Sequence, residues 1–470
     1  MTTNPKFHFP NFRAVGGEPS LSLPRVACVV AVLAGTVAAA RAEGPGVPTP
    51  QVFYAPVQSL EDTIQSHTQD PRPQSAKGAL QVADWLIYGG LGWGAACGYN
   101  VNSSPTNPQQ ACGPQFTPSV VAEHNTGIQR TLLYGVGDVR WYPTLNRVDV
   151  VNTSAGVVHV WEIERDLIFR VQAQGKQSQD YSGFAGNLAS TNVFVTSPLN
   201  YTQGYGSSSI QKEFGSFFAA VGGSATFTAY QNIQDSLGNT IDEGARNGSV
   251  TTFNTRFGYH VSPVLYTFIE PTANWQRYRD SNLNSEGYRV VAGVGSGRIG
   301  LFSGEVFAGY AQQRFEDPIA GTSSIPVVGG RLAWFPTRFL SFRLDADRVF
   351  GTSDYNTLGF GGTGVASGAI PNVSTGLRPG SVTAITTARL SGQWTYSDRL
   401  SFTASIADQQ QDYLTSSRRD NLVSLSAGVT YQIWPGIGVT TTYTHGQLYS
   451  NLPGASFTTD FISFGGSSKF

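Results

Sequence analysis

The stretch from Phe339 to Phe350 reads F-L-S-F-R-L-D-A-D-R-V-F, and its apolar and polar residues alternate. One face of an extended chain would carry Leu340, Phe342, Leu344 and Ala346, and the other Ser341, Arg343, Asp345 and Asp347. Successive side chains of a β-strand point to opposite faces, so this stretch predicts a strand with one apolar and one polar surface.

The same alternation recurs in runs of about 10 to 15 residues along most of the chain, as expected for barrel strands. Two further clear examples are 400–409 and 423–433. Reading every run in this way predicts an all-β protein of about eighteen strands, an even number. Alternation alone does not separate a soluble β-sandwich from a membrane barrel, because both have one apolar face.

The connections between the runs favour the barrel. Every second connection is tight, as at Thr126-Gly127 and Ser397-Asp398, whereas most of the others are long, as at Gly351 to Ser381. Short periplasmic turns and long extracellular loops are typical of outer-membrane barrels. The sequence therefore predicts a transmembrane, antiparallel, up-and-down β-barrel.

Composition excludes several other classes of protein. Charged residues make up 13% of the chain, against about 25% in soluble domains, and the mean hydropathy is −0.15. No window after the amino-terminal region offers the apolar run of a membrane helix. The formal net charge of −1 gives no field that would attract nucleic acid, so none is expected as a partner.

Three segments are predicted along the chain. Residues 1–42 have basic residues, an apolar run and Ala40-Arg41-Ala42, which together indicate a cleaved secretory signal peptide. Residues 43–83 are rich in Pro and Gln and predict a periplasmic segment without a regular period. Residues 84–470 form the predicted outer-membrane barrel of a Gram-negative bacterium.

Two features of the mature chain carry specific expectations. Cys97 and Cys112 are close in sequence, and in an oxidising compartment they are expected to form a disulfide. The chain ends on Phe470, in phase with Ile462 and Phe464. This terminal aromatic resembles the signal by which barrel proteins are recognised for membrane insertion.

The alternation of side chains along the strands identifies charged residues that would face the lumen. The candidates are Arg170, Arg256, Glu270, Arg289, Glu305, Arg331, Arg343, Asp345, Asp347 and Arg389. One reading is that these groups form ion pairs that brace the wall. The other is that some of them border a permeation path and set its selectivity. The two readings can coexist.

Motifs for catalysis or cofactors are weak. Gly295 to Gly300 matches G-x-G-x-x-G, but a further alternating strand follows it where the dinucleotide fingerprint requires a helix. The histidines are scattered without metal-ligand spacing, and no Gly-x-Ser-x-Gly elbow occurs. We therefore expect no cofactor, no metal and no enzymatic activity.

Three segments of the sequence resemble those of a known protein family. They are the hairpin from Tyr288 to Tyr310, then Leu332 to Thr337, and the closing hairpin from Val423 to Tyr443. In the spacing of its strands and in these segments, the chain resembles the putative beta-barrel porin 2 family of proteobacterial outer-membrane proteins. The resemblance implies an outer-membrane barrel of a kind associated with exopolysaccharide or capsule export, and it supplies no defined site.

The first functional hypothesis is a porin-like channel for polar solutes, associated with exopolysaccharide export. The alternative is a non-conducting structural or adhesive barrel, and planar-bilayer conductance separates the two. The expected partners are outer-membrane lipid, the barrel assembly machinery and polysaccharide. The sequence leaves the oligomeric state and the transported solute open.

Overall fold

The computed structural model describes residues 80–101, 108–145, 149–180, 199–234, 240–242, 244, 247–318, 321–351, 383–414, 416–453 and 456–469. The predicted signal peptide, most of segment 43–83 and Phe470 lie outside these residues. Within them, no helix is long and apolar enough to span a membrane.

In the part of the chain that the structure describes, eighteen long antiparallel strands form the wall of a barrel. In chain order they are β2 (Trp85–Tyr99), β3 (Gln110–Asn125), β4 (Gln129–Arg140), β5 (Val150–Glu164), β6 (Leu167–Asp180), β7 (Leu199–Phe214), β8 (Phe217–Tyr230), β11 (Gly248–His260), β12 (Leu265–Tyr278), β13 (Ser285–Ile299), β14 (Phe302–Phe315), β15 (Thr322–Thr337), β16 (Leu340–Gly351), β17 (Thr383–Thr395), β18 (Leu400–Tyr413), β19 (Arg419–Trp434), β20 (Ile437–Ser450) and β21 (Phe457–Lys469).

Three short strands complete the numbering. β1 (Leu80–Val82) pairs with the start of β2, so strand structure begins within the segment predicted to precede the barrel. β9 (Ile233–Gln234) and β10 (Thr240–Ile241) pair with each other in the connection between β8 and β11. A single turn of 3-10 helix, Ser281–Leu283, lies between β12 and β13.

The sheet closes on itself. Each long strand pairs with its neighbours in the chain, β8 pairs with β11, and the last strand, β21, pairs with the first, β2. Each wall strand therefore has a strand on both sides, which removes the exposed edges of an open sheet. The predicted all-β, antiparallel barrel of about eighteen strands is confirmed.

The two ends of the barrel differ in their connections. At one end, neighbouring strands are joined by tight turns such as 215–216 and 435–436. Gly215 and Gly436 have φ of 65° and 82°, a left-handed backbone that glycine adopts without steric cost. At the other end most connections are longer, and the longest runs from residue 352 to residue 382. We call these the short-turn end and the long-loop end.

The alternation sorts side chains onto two faces of the wall. On the outer face, Val328 is 66% and Phe257 53% exposed, whereas inward residues such as Gln276 and Thr444 are 1% exposed. Near the short-turn end, Trp334 stacks between Phe302 and Phe342, with ring centroids 5.9 and 5.3 Å apart. An apolar outer face with an aromatic row near its border is the pattern of a barrel surrounded by lipid.

The predicted disulfide is present. Cys97 on β2 and Cys112 on β3 are directly opposite in the register and are joined by a disulfide bond. Strand β3 begins at Gln110, so the bond links two paired strands near the long-loop end.

The sidedness of the wall predicts the outcome of one pair of substitutions. Ile406 lies on the outer face of β18, whereas its neighbour Ser405 points inward. If lipid covers the outer face, Ile406→Arg should destabilise the barrel by about 2–4 kcal/mol, the cost of a charge near the bilayer midplane. The matched variant Ser405→Arg should assemble normally. The measurement is urea unfolding in lipid vesicles, read from heat-modifiable gel mobility, and the reverse ranking would contradict the assigned faces.

Candidate functional site

The inner wall from β11 to β17 carries the main group of charged side chains. On each of these strands the inward position is set by alternation with outward apolar residues, for example Glu270 next to Ile269 and Glu305 next to Val306. Adjacent strands then bring the inward positions side by side. Of the ten predicted lumen-lining residues, nine lie on these seven strands, and Arg170 lies apart on β6.

Arg256 on β11 is the centre of a buried cluster. Its Nε donates to Glu270 at 2.6 Å and its Nη1 donates to Glu305 at 3.0 Å. The Tyr266 hydroxyl also donates to Glu305, at 3.3 Å, and the guanidinium lies 4.1 Å from the centre of the Phe268 ring. Arg256, Glu270 and Glu305 are 4%, 2% and 4% exposed. Since their mutual contacts replace hydration, each charge depends on the others.

A second ion pair lies farther along the same wall. Arg289 on β13 donates through Nη2 to Asp347 on β16, at 3.2 Å, and its guanidinium lies 5.0 Å from the Phe307 ring centre. Asp347 also accepts the backbone N–H of Arg348 at 2.8 Å. This contact joins strands that are not neighbours in the sheet, because β14 and β15 lie between them.

Four charges of alternating sign form a row across neighbouring strands. Glu305 on β14 is the register partner of Arg331 on β15, and Arg331 is in turn the partner of Asp345 on β16. Asp345 is the partner of Arg389 on β17. Directly opposite residues of opposite charge attract one another, so this register favours the observed order of strands.

The other two predicted residues have different surroundings. Arg343 lies two residues before Asp345 on β16 and is exposed. Arg170 on β6 is opposite Val160 and Ser209, and its inward neighbours on the strand are Gln172 and Ile168. The structure therefore places Arg170 away from the charged residues on β11 to β17.

Aromatic and apolar side chains also lie on the inner face, where the alternation predicted polar residues. Tyr266, Phe268 and Phe307 touch the charged groups, yet they break the simple pattern of a polar interior. An apolar cluster on the same inner face includes Val291, which is the register partner of Glu270, and Ile325 and Val327, all nearly fully buried. Their inward parity was readable from the sequence, but the expectation that every inward residue is polar concealed them.

Three amide side chains near the cluster have buried atoms without hydrogen-bond partners. They are Nδ2 of Asn254, Oδ1 of Asn274 and Oε1 of Gln276, on the inner faces of β11 and β12. A buried polar atom left unpaired costs about 1–3 kcal/mol.

A comparison with known protein families gives a match over most of the chain. The family model described as putative beta-barrel porin 2 matches residues 72–469. No curated protein matches the chain significantly.

Three similar solved structures are distant from the chain in sequence. OpdO of Pseudomonas aeruginosa has 12% identity and a TM-score of 0.42, covering 83% of this chain and 98% of that one. The outer membrane protein opdK of Pseudomonas aeruginosa has 10% identity and a TM-score of 0.41, covering 82% and 99%. A ferric enterobactin receptor (PfeA) mutant of Pseudomonas aeruginosa has 8% identity and a TM-score of 0.38, covering 82% and 80%.

The family match spans the closed barrel described above, and the three sequence segments that resemble the family lie within it. The chain belongs to the putative beta-barrel porin 2 family and is a porin-like outer-membrane barrel.

Proposed function

We propose that the protein is a passive channel for polar solutes, associated with exopolysaccharide export. The observation that carries the proposal is the closed wall of eighteen strands with charged and amide side chains on its inner face. Barrels of about 16–18 strands are wide enough to leave an aqueous interior. In this proposal the short-turn end is periplasmic and the long-loop end extracellular, in the outer membrane of a Gram-negative bacterium.

The charged residues divide into two roles. Arg256, Glu270 and Glu305 are buried in mutual contacts, which suits a brace of the wall. Arg343 is exposed on the inner side of β16, which suits a position beside the path of a solute. A charge of this kind raises the local concentration of anions and lowers that of cations.

The unpaired amides support a saccharide as the solute. Asn254, Asn274 and Gln276 lie on neighbouring strands and offer one donor and two acceptors to an incoming group. Sugar hydroxyls both donate and accept hydrogen bonds, so one polyol chain could satisfy all three. The proposal is for a transporter with outer-membrane lipid and the barrel assembly machinery as partners, and not for an enzyme.

A non-conducting structural or adhesive barrel is the second candidate. It is favoured by the burial of much of the inner face between β11 and β17, including Ile325 and Val327. Planar-bilayer conductance decides between the two candidates, because a filled barrel passes no current.

The bracing role predicts the cost of breaking the cluster. Arg256→Met leaves two carboxylates buried without their cation and should lower the free energy of unfolding by roughly 3–5 kcal/mol. Adding Glu270→Gln and Glu305→Gln should recover part of that loss. The matched control Arg343→Met, at an exposed position, should change stability by about 0.5 kcal/mol or less. Urea unfolding in vesicles measures all of them, and equal losses at Arg256 and Arg343 would contradict the division of roles.

The selectivity role predicts a change in reversal potential. Arg343→Glu reverses one charge beside the path, so the zero-current potential in a salt gradient should move toward cation preference. Arg343→Gln should move it by about half as much, since it only removes the charge. If the wild-type protein passes no current in planar bilayers, the channel proposal fails and the structural barrel replaces it.

The saccharide proposal predicts block of the current by a neutral linear oligosaccharide. Gln276→Leu removes one acceptor and should weaken the block about threefold or more, in line with the loss of a single hydrogen bond. The control Gln393→Leu, at an exposed position near the short-turn end, should leave the block unchanged. Absence of block at any oligosaccharide concentration would overturn the saccharide assignment while leaving ion conduction intact.

A further inference from the structure

A recess of about 650 Å³ lies on the inner face of the wall, where the barrel closes. Four neighbouring strands form it, in the order β20, β21, β2 and β3. Its floor consists of glycines at inward positions of β2 and β21, namely Gly90, Gly92, Gly94 and Gly465. Polar side chains of β20 and β3 stand on either side, and these are Thr440, Gln115, Thr117 and Ser119. We call this recess the glycine trough.

The close approach of the two closing strands requires glycine in the floor. Gly94 on β2 and Gly465 on β21 are register partners, and a Cβ on either would meet the backbone of the other strand. The residues between the floor glycines, such as Leu91, Trp93 and Phe464, turn their side chains to the outer face, where they are exposed. No side chain therefore rises from the middle of the described floor.

Polar groups of β3 reach over this floor. The Thr117 hydroxyl lies above Gly92, at the place that a Cβ of that residue would occupy. Gln115 is 7% exposed, and its Nε2 donates to Asp138 at 2.8 Å, which fixes the orientation of the amide. Neither Oε1 of Gln115 nor the Thr117 hydroxyl is hydrogen-bonded to another described residue. They offer a ligand one amide acceptor and one hydroxyl that both donates and accepts.

Hydroxyl groups line the opposite side of the trough. The Thr440 hydroxyl lies 3.1 Å from that of Thr430, and the Ser463 hydroxyl is paired with that of Thr442. A hydroxyl has one donor and two acceptor sites, so two hydroxyls can bind each other and still accept from a third group. Both sides of the trough can therefore bind a ligand that carries many hydroxyl groups.

The described lining of the trough contains no charged side chain. Asp138, which holds Gln115, is itself paired with Arg140 at 2.6 Å. In the ring of eighteen strands β21 lies nine strands from β12, so the trough faces the wall that carries Arg256 and Glu270. An ionic ligand in the trough would lose hydration without gaining a counter-charge, which is unfavourable.

We propose that the glycine trough binds an uncharged linear oligosaccharide, which lies lengthwise along β2 and β21. The glycine floor leaves room for the sugar rings, while Gln115 and Thr117 bind their hydroxyl groups. This inference rests on the proposed saccharide solute and deepens it. It gives the sugar a site on the wall opposite Gln276 and specifies a sugar without charge.

Protection of an introduced cysteine tests the location of the site. Ser119→Cys places a thiol at the side of the trough, and a water-soluble methanethiosulfonate would modify it in the full-length protein, with mass spectrometry as the readout. Maltohexaose, an uncharged linear hexasaccharide, should slow this reaction about tenfold at about ten times its dissociation constant. The control Ser209→Cys, at an inward position of β7, should react at an unchanged rate. Equal slowing at both positions, or none at Ser119, would overturn the site.

Affinity measurements test the contacts and the preference for a neutral sugar. By isothermal titration calorimetry, Thr117→Val should weaken maltohexaose binding about threefold or more, because it removes one hydroxyl and keeps the shape. The control Thr226→Val, at an inward position of β8, should bind like the wild type. Wild-type affinity in both variants would reject the contact with Thr117.

Hexagalacturonate, which carries a carboxylate on each ring, should bind about tenfold more weakly than maltohexaose or worse. Equal affinity for the two hexasaccharides would overturn the preference for an uncharged sugar. Planar-bilayer conductance separates this inference from the channel proposal. Conductance without maltohexaose binding would reject the trough and keep the channel, whereas binding without conductance would keep the trough and reject the channel.

Discussion

A backbone that crosses lipid must find all of its hydrogen bonds within the protein, because the bilayer core offers none. For an all-β chain this requirement leaves only a closed sheet. The pairing of β21 with β2 supplies that closure, and an even number of strands lets it form with every neighbour antiparallel. The tight turns, the sorted faces and the aromatic row near the short-turn end all follow from this single constraint.

Charged side chains that are buried on the inner face of the wall lose their hydration, and other contacts must replace it. Arg256 is tolerable only because Glu270 and Glu305 both accept from it, and the carboxylates are tolerable only because of Arg256. Buried ion pairs of this kind add little net stability compared with apolar residues, but losing one partner is costly. They also contribute to specificity, because the observed register places opposite charges next to each other along the row from Glu305 to Arg389.

The sequence predicted the features that depend on one strand at a time. Alternation around Leu344 or Ile406 is local, so the number of strands, their faces and the asymmetry of the turns could be read directly. The disulfide was predictable because Cys97 and Cys112 are close in the chain. Which inward residues meet was not readable, because the contact of Arg289 with Asp347 depends on the stagger of four strands. The burial of Phe350 was also hidden, since its parity assigns it to the outer face.

The opposite charges of the inner wall lie next to the point where the pairing of β15 with β16 stops. Pairing between β15 and β16 ends at Gly330 and Ala346, one residue beyond the opposite charges of Arg331 and Asp345. The next inward residue, Asp347, is held by Arg289. The contact of Arg289 with Asp347 therefore holds β16 in place just beyond the point where its backbone pairing with β15 ends.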